Sequence, residues 1–126
     1  MPYQVPTFRT PPFSEYVSGH SAFSMAGATV LRLFTGSDDY GTCASFPPGW
    51  SKVEPGMVPA QEIALCWNTF TGAAEEAGLS RLYGGIHFRQ GNLEALKIGG
   101  LVGKQVWEKA QTYFDGDATR LMATNK

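Results

Sequence analysis

The chain has 126 residues, 43% of them hydrophobic and 13% aromatic, which is enough to build the core of a single domain over 1–126. Ten basic and eleven acidic residues leave a net charge of -1, so no electrostatic footprint points to nucleic acid or to an anionic membrane. No apolar run approaches the roughly 18 residues of a membrane span, and the start, Met1-Pro2-Tyr3-Gln4-Val5-Pro6, lacks the basic and apolar regions of a signal peptide, so a soluble chain of open compartment is expected.

Residues 1–17 hold Pro2, Pro6, Pro11 and Pro12 and read as an extended arm that wraps on something else. From Ser18 to Phe34 the only charge is Arg32, and apolar residues such as Phe23, Met25, Val30, Leu31 and Phe34 cover nearly all sides. That pattern predicts a buried central helix, capped by Ser18 or Ser21 and stopped at Gly36. Residues 36–59, rich in Gly, Ser, Asp and Pro, read as a long loop with Phe46, Trp50 and Val53 anchored on the core. Pro59 is expected to open a second helix through about Ala77, with Ile63, Cys66, Trp67, Phe70, Ala74 and Ala77 on one face and Gly78 closing it. Leu79 to His87 then forms a short connection.

A third helix is expected from about Asn92 to Phe114, with Leu93, Leu96, Val102, Val106, Trp107, Ala110 and Phe114 inward. Gly99, Gly100 and Gly103 are poor helix formers and suggest a close helix crossing. The tail after Asp115 is polar and expected to fray. No strand alternation stands out and there is no internal repeat, so the fold class is all-α. Cys43 in the loop and Cys66 in the helical pattern leave a disulfide and two separate thiols both open, and their spacing does not suit structural zinc.

Two short segments hold both histidines: Ser18-Gly19-His20-Ser21 and Ser80-Arg81-Leu82-Tyr83-Gly84-Gly85-Ile86-His87. Together they offer N–H groups at a helix start, a hydroxyl, a guanidinium fork and an imidazole, the groups that bind a tetrahedral oxyanion. Taken singly, each is as well explained by a helix cap or a structural histidine. The joint pattern is more specific: Pro12-Phe13-Ser14-Glu15-Tyr16-Val17-Ser18-Gly19-His20, followed by Ser80-Arg81 and His87, resembles the second and third signature motifs of the vanadium-dependent haloperoxidase and type 2 phosphatidic acid phosphatase superfamily. The segments Phe34-Thr35-Gly36-Ser37-Asp38, Ser51-Lys52-Val53-Glu54-Pro55-Gly56 and Tyr83-Gly84-Gly85-Ile86-His87-Phe88 look like its bacterial haloperoxidase branch, so that the resemblance covers about residues 10–110.

The resemblance implies the C-terminal portion of a haloperoxidase-type helical bundle. It implies that His87 is the axial ligand of vanadate, or a nucleophile if the chain is phosphatase-like, with phosphate a substitute for vanadate. Arg81, the Ser18 hydroxyl and the Gly19 N–H would hold the other oxygens, and His20 would be the acid–base group. The implied reaction is oxidation of halide by hydrogen peroxide. Two departures qualify it. The family's upstream lysine and arginine motif is missing, since only Arg9 and no lysine precede Ser18, and each lost charge-assisted hydrogen bond is worth on the order of 1.5 to 3 kcal/mol. The aspartate that usually follows the ligand histidine is replaced by Gly91 and Asn92, so Asn92 is expected either to orient the His87 ring or to cap the third helix.

The faces around Phe23, Trp67 and Trp107 would be left partly exposed in such a fragment, which predicts a homo-oligomer or a second chain that completes the bundle. Three functions follow: an incomplete haloperoxidase completed by that partner, a non-catalytic assembly subunit, or an acid-phosphatase-like hydrolase.

Overall fold

The structure is a computed structural model and describes residues 6–116. Its elements are α1 (Gly19–Thr35), β1 (Asp39–Phe46), β2 (Ile63–Thr69), α2 (Phe70–Tyr83) and α3 (Arg89–Phe114). The expected all-α class is therefore corrected to three helices plus a two-stranded antiparallel sheet. Residues 6–18 form neither helix nor strand, and the first five residues of the expected arm and the polar tail from 117 lie outside the described residues. No described helix is long and apolar enough to cross a membrane.

α1 starts and stops where its sequence dictates. Ser18 is the N-cap, its Oγ accepting the Ser21 N–H at 3.4 Å, and Gly36 closes the helix in the left-handed conformation at φ 72°, where a side chain would be strained.

The chain between α1 and α2 departs most from expectation. Residues 39–46 are a strand rather than loop, and 63–69 are its antiparallel partner rather than helix. Ile63, Cys66, Trp67 and Phe70 fit a helical spacing, but periodicity alone cannot separate a short apolar strand from a helix. Here pairing decides: Cys43 sits directly opposite Cys66 in the register, and the two form a disulfide. Thr69 then caps α2 by accepting the Gly72 N–H at 2.9 Å, and the helix runs past the expected stop at Gly78 to Tyr83. Asp38 Oδ1 accepts the Thr71 N–H at 3.0 Å while Arg32 donates to Thr71 Oγ1 at 3.1 Å, which ties the end of α1 to the start of α2. In the hairpin connection Trp50 packs on Phe46 and is 54% exposed, so it anchors the hairpin to itself and not to the helices.

α1 packs chiefly on α3, then on α2. The α3 face that does this is a row of small residues, Gly91, Ala95, Gly99 and Gly103, spaced by four and all buried. A Cβ on Gly99 would lie 2.2 Å from the Ala22 carbonyl oxygen, and one on Gly103 would lie 2.6 Å from that of Ala26. The crossing expected from the glycines is present at Gly99 and Gly103, whereas Gly100 has ordinary space around it. Contacts rise together along both helices, Gly99 with Ala22 and Gly103 with Ala26, so α1 and α3 run parallel.

Of the residues expected inside α3, Leu96, Trp107 and Ala110 are half-buried, but Leu93, Val102, Val106 and Phe114 are exposed, as are Phe23 (83%) and Phe34 on α1. α1 is accordingly not a helix buried on all sides. The only buried apolar side chains among the described residues are Ala28, Ala74 and Ala95.

Gly99→Val should lower stability by about 3 kcal/mol, because the new side chain meets backbone that cannot rotate away. Gly100→Ala, with space for its methyl, should raise it by roughly 0.8–1 kcal/mol, and urea denaturation of both variants checks the contrast. Reducing Cys43–Cys66, which closes a separation of 23 residues, should cost about 3 kcal/mol in the same assay with and without dithiothreitol.

Candidate active site

The parallel pairing of α1 and α3 brings two helix N-termini to one end of the unit, with the C-terminal turn of α2 beside them. Each N-terminus carries unsatisfied N–H groups and partial positive charge, so this end favours an anion. Arg81, in the last turn of α2, adds a full positive charge where that helix end is otherwise negative.

A cleft of about 520 Å³ opens at this end, lined by Gly19, His20, Phe23 and Ser24 of α1, Phe13, Ser14 and Val17 of the preceding segment, and His87. It brings together Gly19, His20 and His87 of the sequence candidates. Arg81 is half-buried next to them, and its charge acts on His20. Ser18 lies beneath the cleft, fully buried.

His87 is 5% exposed, and its ring is held on two sides. Phe13 stacks on it with centroids 5.7 Å apart, and Nδ1 lies 2.6 Å from the Glu15 carbonyl oxygen. A carbonyl only accepts, so Nδ1 carries the proton and, in the neutral ring, Nε2 carries the lone pair. Two buried side-chain nitrogens among the described residues have no hydrogen-bond partner, and they are this Nε2 and Arg81 Nε. One is an electron-pair donor and the other a cationic donor, the pairing that an oxyanion with a ligating or attacking histidine requires.

Asn92 does neither of the two things expected of it. It is buried in the first turn of α3, whose N-cap is Phe88, and its Oδ1 lies 2.6 Å from Ser21 Oγ. The ring N–H of His87 goes to the Glu15 carbonyl instead, because the segment ahead of α1 lies against that side of the ring. Ser21 Oγ is also 2.7 Å from Ser18 Oγ. One hydroxyl proton cannot serve both neighbours, so Ser21 donates to Asn92, which can only accept through Oδ1, and receives the proton of Ser18. Gly78 of α2 closes over this chain, where a Cβ would come within 2.3 Å of Asn92 Oδ1. In this arrangement the Ser18 proton is used inside the protein, while Gly19 and His20 line the cleft.

His20 is exposed at the cleft, and its pKa is lowered by partial burial, by the Arg81 guanidinium and by the His87 ring. A neutral imidazole near neutral pH can both accept and donate a proton, as an acid–base group must.

The sequence alone gives Glu15 no role and Ser21 only that of an alternative cap for α1. Glu15 stands three residues before Ser18 within the motif, but nothing in one sequence says that its main-chain oxygen, rather than its carboxylate, would find the histidine ring.

A family model described as the VCPO second helical-bundle domain matches residues 1–116, and the chain belongs to that family. Among solved structures it is similar to an apo-type bacterial vanadium-dependent chloroperoxidase, with a TM-score of 0.78 and 28% identity over 82% of this chain and 22% of that one. It is also similar to a holo-type bacterial vanadium-dependent chloroperoxidase, with a TM-score of 0.74 and 28% identity over 77% of this chain and 21% of that one. The chain thus spans about a fifth of the length of the solved chains it matches. No curated protein matches it.

Arg81→Gln should raise the His20 pKa, since removing a nearby positive charge favours the imidazolium. The sign for stability follows: with a lowered folded pKa, the unfolded chain binds the His20 proton first, so this group's contribution is lost as pH falls through the ordinary histidine range. Titration of the two histidine ring resonances by NMR, with His20→Gln to assign them, measures the shift.

Proposed function

We propose that this chain carries the histidine half of a vanadium-haloperoxidase-like site, which oxidises halide with hydrogen peroxide once cationic groups from outside the chain complete it. The single observation that carries the reading is the pair of buried, unpartnered nitrogens, His87 Nε2 and Arg81 Nε, at the end where two helix N-termini meet. The family membership and the chloroperoxidase neighbours support it.

The residues present fit one side of vanadate. His87 would ligate through Nε2, its Nδ1–H fixed by Glu15, and Arg81 and the Gly19 N–H would hold oxygens. Ser18 would support the turn that presents Gly19 and His20, through its bonds to Ser21. Bound vanadate supplies Lewis-acid activation of peroxide. His20 would move a proton at the cleft, held mostly neutral by its lowered pKa. Phe13, Val17 and Phe23 would exclude water on the cleft's apolar side.

The charge does not balance within the chain. One guanidinium and the start of α1 would face an ion of multiple negative charge, the α3 start being taken by the Glu15 carboxylate, and the sequence offers no lysine before Ser18. The completing lysine and arginine would come from a second chain or further polypeptide docked on the apolar faces that Phe23 and Phe34 leave exposed. An acid-phosphatase-like activity would use the same Nε2 as nucleophile. A purely structural subunit would need neither nitrogen free.

Bromination of a phenolic indicator with vanadate, peroxide and bromide should be at background for the chain alone and should appear when a polypeptide bearing the upstream lysine and arginine motif is added. His87→Ala should remove it together with vanadate binding measured by calorimetry. Phosphate-ester hydrolysis without any bromination would favour the phosphatase, and no vanadate binding even in the completed assembly would sink both.

A further inference from the structure

We infer that Glu15 is the positioning residue of His87, supplying from outside α3 the carboxylate contact that this helix lacks within its own first turn.

α3 begins with an unusual deficit. Its N-cap is Phe88, which has no side chain able to cap, and no acidic residue lies in its first turn. A helix start of this kind leaves N–H groups and the positive helix end uncompensated. The usual remedy is a Glu or Gln at the third helical position, whose side chain reaches back to the N-cap N–H. That position here is Gly91.

The space a side chain at Gly91 would take is filled by Glu15. A Cβ built on Gly91 would lie 2.3 Å from Glu15 Oε1 and 2.9 Å from Oε2. The same Oε1 accepts the Phe88 N–H at 2.8 Å, the bond a capping side chain at 91 would make. The contact is continued on either side: the Glu15 carbonyl accepts His87 Nδ1–H at 2.6 Å, and the Ser18 N–H donates to the Gly91 carbonyl at 3.3 Å. One residue therefore holds consecutive positions 87 and 88 at once, the ring through its main-chain oxygen and the backbone through its carboxylate. The carboxylate fixes where the residue sits, and its carbonyl then fixes the ring tautomer with the lone pair on Nε2. Gly91 is the glycine that makes room for this exchange.

This meaning for catalysis rests on the proposed role of His87, but the test does not. The full chain, labelled with nitrogen-15 histidine and kept at alkaline pH so that the rings are neutral, reports the tautomer through the chemical shifts of the two His87 ring nitrogens. In the wild type Nδ1 should give the protonated-nitrogen shift and Nε2 the lone-pair shift. Glu15→Ala should average the two and lower the thermal midpoint by about 5 °C. Glu15→Gln, which still accepts from Phe88, should keep the tautomer.

Gly91→Glu alone should destabilise, because it collides with Glu15. Combined with Glu15→Ala it should recover most of the midpoint while the ring shifts stay averaged, because the alanine has no carboxylate to place its carbonyl against the ring. An unchanged tautomer in Glu15→Ala, or a double variant whose losses simply add, would overturn the assignment. Because no vanadate enters these measurements, a failure of the proposed activity leaves their outcome untouched, and the converse also holds.

Discussion

The close backbone approach of α1 and α3 is the constraint on which the rest depends. Gly99 and Gly103 leave no Cβ where the Ala22 and Ala26 carbonyls come in, so the two helices meet main chain to main chain. Contacts of that kind gain little from the hydrophobic effect, since few large side chains are buried, but they restrict the crossing to a narrow set of geometries. The consequence for function is directional. Parallel helices pack their N-termini at one end, and that end acquires two positive helix ends, of which the Glu15 carboxylate meets the one at α3 while the residues that open α1 line the cleft.

A second layer of constraint sits directly on the first. Ser21 of α1, Asn92 of α3 and Gly78 of α2 meet where the three helices converge, the first two bonded at 2.6 Å and the third pressed against them. Buried polar groups are costly unless satisfied, so this junction specifies the register of α1 against α3 more sharply than the small apolar core could. His20 is the residue before Ser21, and His87 stands five before Asn92, so a shift in that register would displace both histidines. The polar junction and the site are thus parts of one arrangement, which is why Ser18 and Asn92 are structural in this arrangement although they lie in or near the motif.

What could be read from the sequence divides along physical lines. The glycines of α3 were legible because a poor helix former inside a helix demands a packing reason, and the packing supplied it at Gly99 and Gly103 though not at Gly100. The caps of α1 were legible because they are local. The hairpin was not, since Ile63, Cys66, Trp67 and Phe70 satisfy a helical period and only their pairing with 39–46 selects strand. The inward face of α3 is illegible in the sequence for a related reason. A hydrophobic pattern marks the face that will be covered, and in this unit Leu93, Val102, Val106 and Phe114 are uncovered while the glycines and Ala95 make the close contact. At the site, the candidates His20, Arg81 and His87 were legible from motif order, whereas Glu15 acts through a main-chain oxygen, which no residue type announces.

The exposed aromatic surface and the missing cations have a common physical cause under the proposed function. A chain whose only buried apolar side chains, among the described residues, are three alanines has a small hydrophobic driving force of its own. Phe23 shows how tightly the two deficits are joined: it lines the cleft beside His20 and His87 and is yet 83% exposed. A polypeptide that covered Phe23 would necessarily reach the rim of the cleft, and cations carried on it would enter a region drier than the open cleft. Charges there act on an anion through a lower effective dielectric, so burial of the aromatic face and neutralisation of the oxyanion would strengthen each other. Assembly and anion binding are then linked equilibria, each raising the apparent affinity of the other.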